Sequence, residues 1–226
     1  MPDTDNHEID FYFDFISHNA YLAWHILPTM AKKYGYSVRP VPVLFAGFLQ
    51  TFGQLGPAEI EPKIAWMNRN NLRKATQLGI PLNAPKLHPF NPLFLLRLSA
   101  QEMSEAERCQ ITGRILSAVW VDGMDPNDRD AVKLCLAELG VDGERYIAGT
   151  AADAVKAQVR ANTDEAIARG CFGVPSMVVN GEVFWGYDDL VYLEALLAGS
   201  DPLQDADLES YTAGWESAYA GGQHRS

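Results

Sequence analysis

From Ile9 to Phe15 apolar and polar positions alternate, with Ile9, Phe11, Phe13 and Phe15 on one face of a strand and Asp10, Tyr12 and Asp14 on the other. The period then lengthens. Tyr21, Leu22, His25, Ile26, Thr29 and Met30 recur at three-to-four spacing, which predicts a helix over 19–34 closed by Gly35. Residues 37–44 read as a second strand, and Pro40 and Pro42, which have no N–H to give a ladder, place it at an edge. From Phe45 the helical period holds for a long stretch, with helices expected over 58–78, 92–103, 105–121, 129–139 and 151–168. Turn chemistry such as Gly79-Ile80-Pro81 and Asp125-Pro126-Asn127 separates them. Two short strands over 176–185 flank Asn180-Gly181, a strong two-residue hairpin signal, and a helix follows over 188–197. Beyond Gly199 the chain is acidic and rich in small residues, so one loose helix over 211–219 and little other order are expected.

The order is β-α-β, a block of helices, then β-β-α. No self-similar period runs through it. This is an α/β chain of thioredoxin topology with a large all-helical insertion between its two halves. By sequence order the thioredoxin-like domain takes 8–44 and 170–198, the helical insertion 45–169 and a C-terminal tail 199–226.

Composition narrows the function. A net charge of -11 on 226 residues argues against nucleic acid or an anionic membrane surface as partner. No apolar run is long enough to span a membrane, and the polar, acidic residues 1–8 do not read as a secretory signal, so a cytoplasmic location is expected. Cys109, Cys135 and Cys171 are too few and too scattered for a disulfide framework. His7, His18, His25, His88 and His224 have no metal-ligand spacing.

Two stretches carry candidate chemistry. Ser17 lies where the first strand turns into the first helix, the place where backbone N–H groups and the positive end of the helix dipole converge. A helix cap is its simplest role, and capping does not exclude catalysis. Before the hairpin stands Gly173-Val174-Pro175. A proline entering a strand is tolerated at an edge, and a cis-proline there would leave the Val174 backbone open to an extended peptide-like ligand.

The stretch Phe11-Tyr12-Phe13-Asp14-Phe15-Ile16-Ser17, the Gly173-Val174-Pro175 turn, His88-Pro89-Phe90-Asn91-Pro92 and Trp185-Gly186-Tyr187-Asp188-Asp189-Leu190 together resemble 2-hydroxychromene-2-carboxylate isomerases. That family and the related kappa-class glutathione transferases are DsbA-like thioredoxin folds, and the likeness runs in order over 8–197. It implies a homodimeric enzyme that uses glutathione as cofactor and acts on a small aromatic carboxylate. Ser17 and Ala20 stand where disulfide oxidoreductases of this fold carry the two cysteines of C-x-x-C, so redox cycling at this corner is chemically closed. A serine hydroxyl would instead hydrogen-bond the cofactor's thiolate and lower the thiol pKa from about 8.5 toward neutrality.

Carried over by position, the resemblance implies that Val174, beside Pro175, pairs with the cysteinyl backbone of glutathione. Asp188, with Tyr187, receives the ammonium of the γ-glutamyl end. Gln54 replaces a family asparagine, and Lys63 takes a basic position that can meet a carboxylate. On their own residues Lys63, Arg69 and Arg73 read equally as solvated charge, and Asp188 as a helix cap. Trp66, Phe94, Trp120 and Trp185 read as core. The corner Ser17-His18-Asn19-Ala20-Tyr21 departs from the family pattern S-P-x-S-Y. His18 there reads as a solvent-facing residue, or, when protonated, as a group that raises the thiolate fraction. Two rival readings stand: a kappa-like transferase that consumes glutathione, and a DsbA-like binding module without catalysis.

Overall fold

The computed structural model describes residues 7–203 and 206–223. The expectations for the N-terminal segment before His7, for positions 204–205 and for 224–226 lie outside the described residues.

Strand β1 (Glu8–Phe13) is an inner strand of a sheet of order β2-β1-β3-β4. Strand β2 (Ser37–Pro42) pairs with it in parallel, and β3 (Ser176–Val179) pairs antiparallel on its other side. Strand β4 (Glu182–Trp185) completes the hairpin with β3. The two proline-bearing positions of β2 thus fall on a sheet edge, where a missing N–H costs least. Asn180 and Gly181 at the hairpin tip have φ of 52° and 84°, the left-handed pair that a twisted two-residue turn requires.

The alternation in β1 would suit a strand wet on one side, but both of its faces are covered. Helix α1 (His18–Lys33) follows β1, and Phe11 packs against its Trp24 with ring centroids 5.4 Å apart. The opposite face meets α2 (Phe45–Phe52) and α8 (Asp153–Ala168), where Tyr12, Phe48, Ala166 and Cys171 share one apolar cluster. Asp10, Tyr12 and Asp14 are therefore buried, and each has polar partners. Asp10 receives the Arg39 and Arg169 guanidinium groups at 2.6 and 2.5 Å, and Tyr12 donates to Glu165. Helices on both faces of a sheet with a parallel pair are the physical reason.

The helical stretch is cut more finely than its periodicity predicts. Residues 58–78 divide into a single 3-10 turn, Pro57–Glu59, and helix α3, Glu61–Leu78, with Ile60 extended between them. Pro62 is tolerated only in a first turn, which fixes where α3 begins. Helix α4 spans Leu93–Ser99, shorter than expected, and α5 spans Glu105–Trp120 behind a Ser104 cap. Helix α6 covers Arg129–Glu138, and α7 (Gly143–Gly149), capped by Asp142, is an addition to the expected set.

The chain divides into two compact units, one running to Leu190 and one from Val191. Helix α9 (Leu190–Leu197) starts at the boundary, and α10 (Leu208–Gln223) is longer than the loose helix predicted over 211–219. Among the described residues no helix is long and apolar enough to cross a membrane, and no group of three metal-ligating side chains converges.

Candidate active site

The corner after β1 is held by its own turn and by three other elements. Ser17 N–H donates to the Asp14 carbonyl at 3.0 Å. The Asp14 carboxylate accepts from Ile16 N–H at 3.1 Å and from Phe45 N–H, the first residue of α2, at 2.9 Å. Complete burial raises the Asp14 carboxyl to about 7, against the partial relief of those two donors. On the other side Trp120 Nε1–H donates to the Phe15 carbonyl at 3.1 Å, and His88 Nε2 lies 3.1 Å from the Ile16 carbonyl. The backbone leading into Ser17 is thus fixed from α2, α5 and the α3–α4 connection.

Ser17 is the N-cap of α1, with extended backbone, and its Oγ accepts from Ala20 N–H at 3.2 Å. The bond uses a lone pair and leaves the hydroxyl hydrogen uncommitted. A half-buried hydroxyl at a helix N-terminus with its proton still to give can hold an anionic atom.

The second wall is the turn before β3. The Val174–Pro175 bond is cis. Ser176 is the residue paired with Tyr12, so extending that register by two residues brings Val174 level with Asp14, just outside both ladders. Pro175 C=O accepts from Gly186 N–H at 2.8 Å, and Ser176 Oγ–H donates to Gly173 C=O at 2.9 Å. A Cβ on Gly173 would stand 2.7 Å from Trp185 Nε1, so only glycine allows the indole to lie against this turn.

The third wall comes from α3. Asn71, Lys74 and Ala75 are its buried positions, at the spacing of one helix face, although two of the three are polar. Lys74 Nζ lies 2.8 Å from Asp188 Oδ2 and 4.8 Å from the centre of the Tyr187 ring. Asn71 is 2 % exposed, and its Nδ2 is sealed from solvent with no partner among the described residues; Asn19 Oδ1, at the start of α1, is orphaned in the same way. Buried polar atoms left unpaired are costly, so these two stand out among the buried polar groups of α1 and α3.

His18 departs from its expected exposure. Its ring is partly buried and stacks on Trp120 at 5.5 Å with 24° between planes. Burial, then the His88 ring and the Lys74 ammonium, push the imidazole down to about 4, so it is neutral at pH 7 and not a cation beside the site.

Of the residues singled out from sequence, Ser17, Val174, Pro175, Tyr187 and Asp188 stand on these walls. Gln54, Lys63, Arg69 and Arg73 are exposed to solvent. Trp66 and Trp185 are not core: they are 58 % and 48 % exposed, on an outer face of α3 and at the end of an edge strand. Trp120 is core and also floors the corner. Lys74 and Asn71 escaped sequence reasoning; the signal was two polar residues on the otherwise small, buried face of α3. A separate cavity of about 400 Å³ opens beside β2, but its cations are committed, Arg39 to Asp10 and Glu8 and Arg108 to Glu105 and the Ser99 carbonyl.

A corner of this form between two thioredoxin halves defines a class, and residues 8–198 match the family model of a DSBA-like thioredoxin domain. The chain is 31 % identical over 191 residues to a 2-hydroxychromene-2-carboxylate isomerase from Sphingobium xenophagum, covering 84 % of this chain and 97 % of that one. A solved structure of a 2-hydroxychromene-2-carboxylate isomerase superposes with a TM-score of 0.79 at 30 % identity, over 89 % of this chain and 98 % of that one. A kappa 2 glutathione S-transferase from Caenorhabditis elegans is 26 % identical over 178 residues, covering 75 % of this chain and 79 % of the relative. The chain belongs to the 2-hydroxychromene-2-carboxylate isomerase family of DSBA-like thioredoxin proteins.

Proposed function

We propose that this protein is a glutathione-dependent isomerase that interconverts 2-hydroxychromene-2-carboxylate and trans-o-hydroxybenzylidenepyruvate, or a closely related intermediate of aromatic-ring degradation. The observation that carries the reading is the Ser17 hydroxyl: it caps α1 through a lone pair and keeps its proton available. Glutathione, when bound, supplies a thiolate that adds reversibly to a conjugated double bond and permits rotation about it.

The residues present fit that cofactor. Ser17 Oγ–H and the α1 N-terminus hold a thiolate and favour its ionised form. Val174, outside the ladders and beside Pro175, offers its backbone to the cysteinyl residue. Asp188, 75 % exposed at its side chain, accepts the γ-glutamyl ammonium, with Tyr187 at its side. The helical insertion adds Lys74, a buried ammonium that is paired with Asp188 and brings positive charge to this wall of an acidic chain. Gln54 and Lys63 belong to the same proposal, as contacts to the solvent-facing end of the ligand. A cytoplasmic location agrees with three cysteines that are all unbridged, and a homodimer is carried over from the family resemblance.

Calorimetry with glutathione and isomerisation assays on wild type and Ser17→Ala test it. Expected are glutathione-stimulated turnover with the glutathione recovered unchanged, and loss of roughly 10²-fold or more in kcat for Ser17→Ala. Stoichiometric consumption of glutathione would favour the kappa-like transferase. Unaltered affinity and activity in Ser17→Ala would leave only a binding module.

A further inference from the structure

His18 is the first residue of α1 and adjoins Ser17. Its Nδ1 accepts a hydrogen bond from Asn19 N–H at 3.1 Å. A ring nitrogen that accepts carries no proton, so the imidazole is neutral and its hydrogen sits on Nε2. Three elements hold the ring in place. Trp120 of α5 lies flat against it, the His88 ring is 6.3 Å away, and the α1 backbone fixes Nδ1. Nε2–H has no acceptor among the described residues, and unlike Asn19 Oδ1 and Asn71 Nδ2 it is not sealed from solvent. The result is a neutral donor held in place on the residue that follows Ser17.

We propose that Nε2–H of His18 binds the carbonyl oxygen of the substrate and stabilises the negative charge that develops there during isomerisation. This rests on the isomerase reading above. When a nucleophile's electron pair enters the conjugated carbon–carbon double bond, the carbonyl π pair moves onto oxygen, and expulsion of the nucleophile returns it. No atom undergoes net oxidation or reduction, and Nε2 keeps its proton throughout. A neutral imidazole suits this task because its developing partner is an anion and proton loss from the donor is far too costly to compete. The charged and titratable groups facing the ring agree. Lys74 from α3 and His88 from the α3–α4 connection both disfavour a second proton, and Asp188 is paired with Lys74.

The test uses the full chain and two variants. His18→Phe keeps an aromatic ring on Trp120 without the donor, and His18→Gln keeps an N–H on a side chain of similar reach. Expected for His18→Phe is a kcat lower by roughly 10²-fold with glutathione Kd within about twofold. His18→Gln is expected to recover about a tenth of wild-type kcat or more. Nitrogen NMR of the unliganded wild type at pH 7 should show Nδ1 unprotonated and Nε2 protonated. Wild-type-like kcat in His18→Phe, or a proton on Nδ1, would overturn the role of His18 while leaving the isomerase reading in place. A wild type without glutathione-stimulated isomerisation would remove both. The nitrogen spectrum keeps the proposal open to refutation even if His18→Phe does not fold.

Discussion

Lys74 and Asp188 meet at 2.8 Å from opposite sides of the solvent boundary, the lysine side chain 10 % exposed and the aspartate 75 %. The lysine needs the pair more than the aspartate does, because a buried ammonium is costly without an anion and a surface carboxylate is not. Asp188→Ala should therefore lower the unfolding free energy by about 1–2 kcal/mol, whereas Lys74→Met, which removes the buried charge itself, should cost less than ~1 kcal/mol. Urea denaturation measures both. If Asp188 also holds the cofactor's ammonium, Asp188→Ala should raise the glutathione Kd roughly tenfold, about 1.4 kcal/mol.

Asp14 and His18 tilt the pH dependence of stability in opposite directions. Burial raises the Asp14 carboxyl to about 7, so between pH ~4 and 7 the folded state binds more protons than the unfolded state and stability falls as pH rises. Burial lowers His18 to about 4, so between pH ~4 and ~6.5 the unfolded state binds more protons and stability rises with pH. Over the shared window the two slopes oppose each other. Relative to wild type, Asp14→Asn should tilt the profile upward with pH and His18→Gln should tilt it downward. His25 and His88, both also lowered by burial, contribute to the histidine slope in either variant. Chemical denaturation at half-unit pH steps checks the signs, and the same sign for both variants would contradict the burial argument.

Gly173 is required by Trp185. A Cβ at Gly173 would lie 2.7 Å from the indole nitrogen, so Gly173→Ala must displace the ring or the turn, at a cost of roughly 1–3 kcal/mol. The second substitution Trp185→Ala should relieve most of that loss. A thermal-shift cycle over the two single variants and the double variant reads the coupling, and additive effects would show that the contact does not govern the turn.

Asp10 is buried between two arginines, Arg39 at 2.6 Å and Arg169 at 2.5 Å, with Arg169 also donating to Tyr12 at 2.7 Å. Both guanidinium groups keep partial access to water, which limits the loss when the carboxylate is removed. Asp10→Ala should destabilise the sheet by about 2–3 kcal/mol, more than the ordinary surface ion pair, with glutathione affinity of the folded protein unchanged. Denaturant unfolding and calorimetry on the same sample separate the two effects.

The amino-acid sequence by itself determined the elements that rest on local chemistry. The Asn180-Gly181 hairpin follows from left-handed backbone, the edge position of β2 from Pro40 and Pro42, and the helix beginning at Ser17 from its cap. It also placed Ser17, Val174 and Asp188 in the order that a DsbA-like chain uses, because motif spacing survives along the chain. Only the tertiary structure decided which polar residues are buried, since burial depends on what folds over a residue. Asp10 and Tyr12 look like a wet face until α8 covers them, and Lys74 looks like one more helix charge until α3 turns it inward. Lys63, on the same helix, keeps its solvent. His18 shows the division most clearly: its identity is written in the chain, but its neutral form comes from Trp120, His88 and Lys74, all brought to it from the helical insertion.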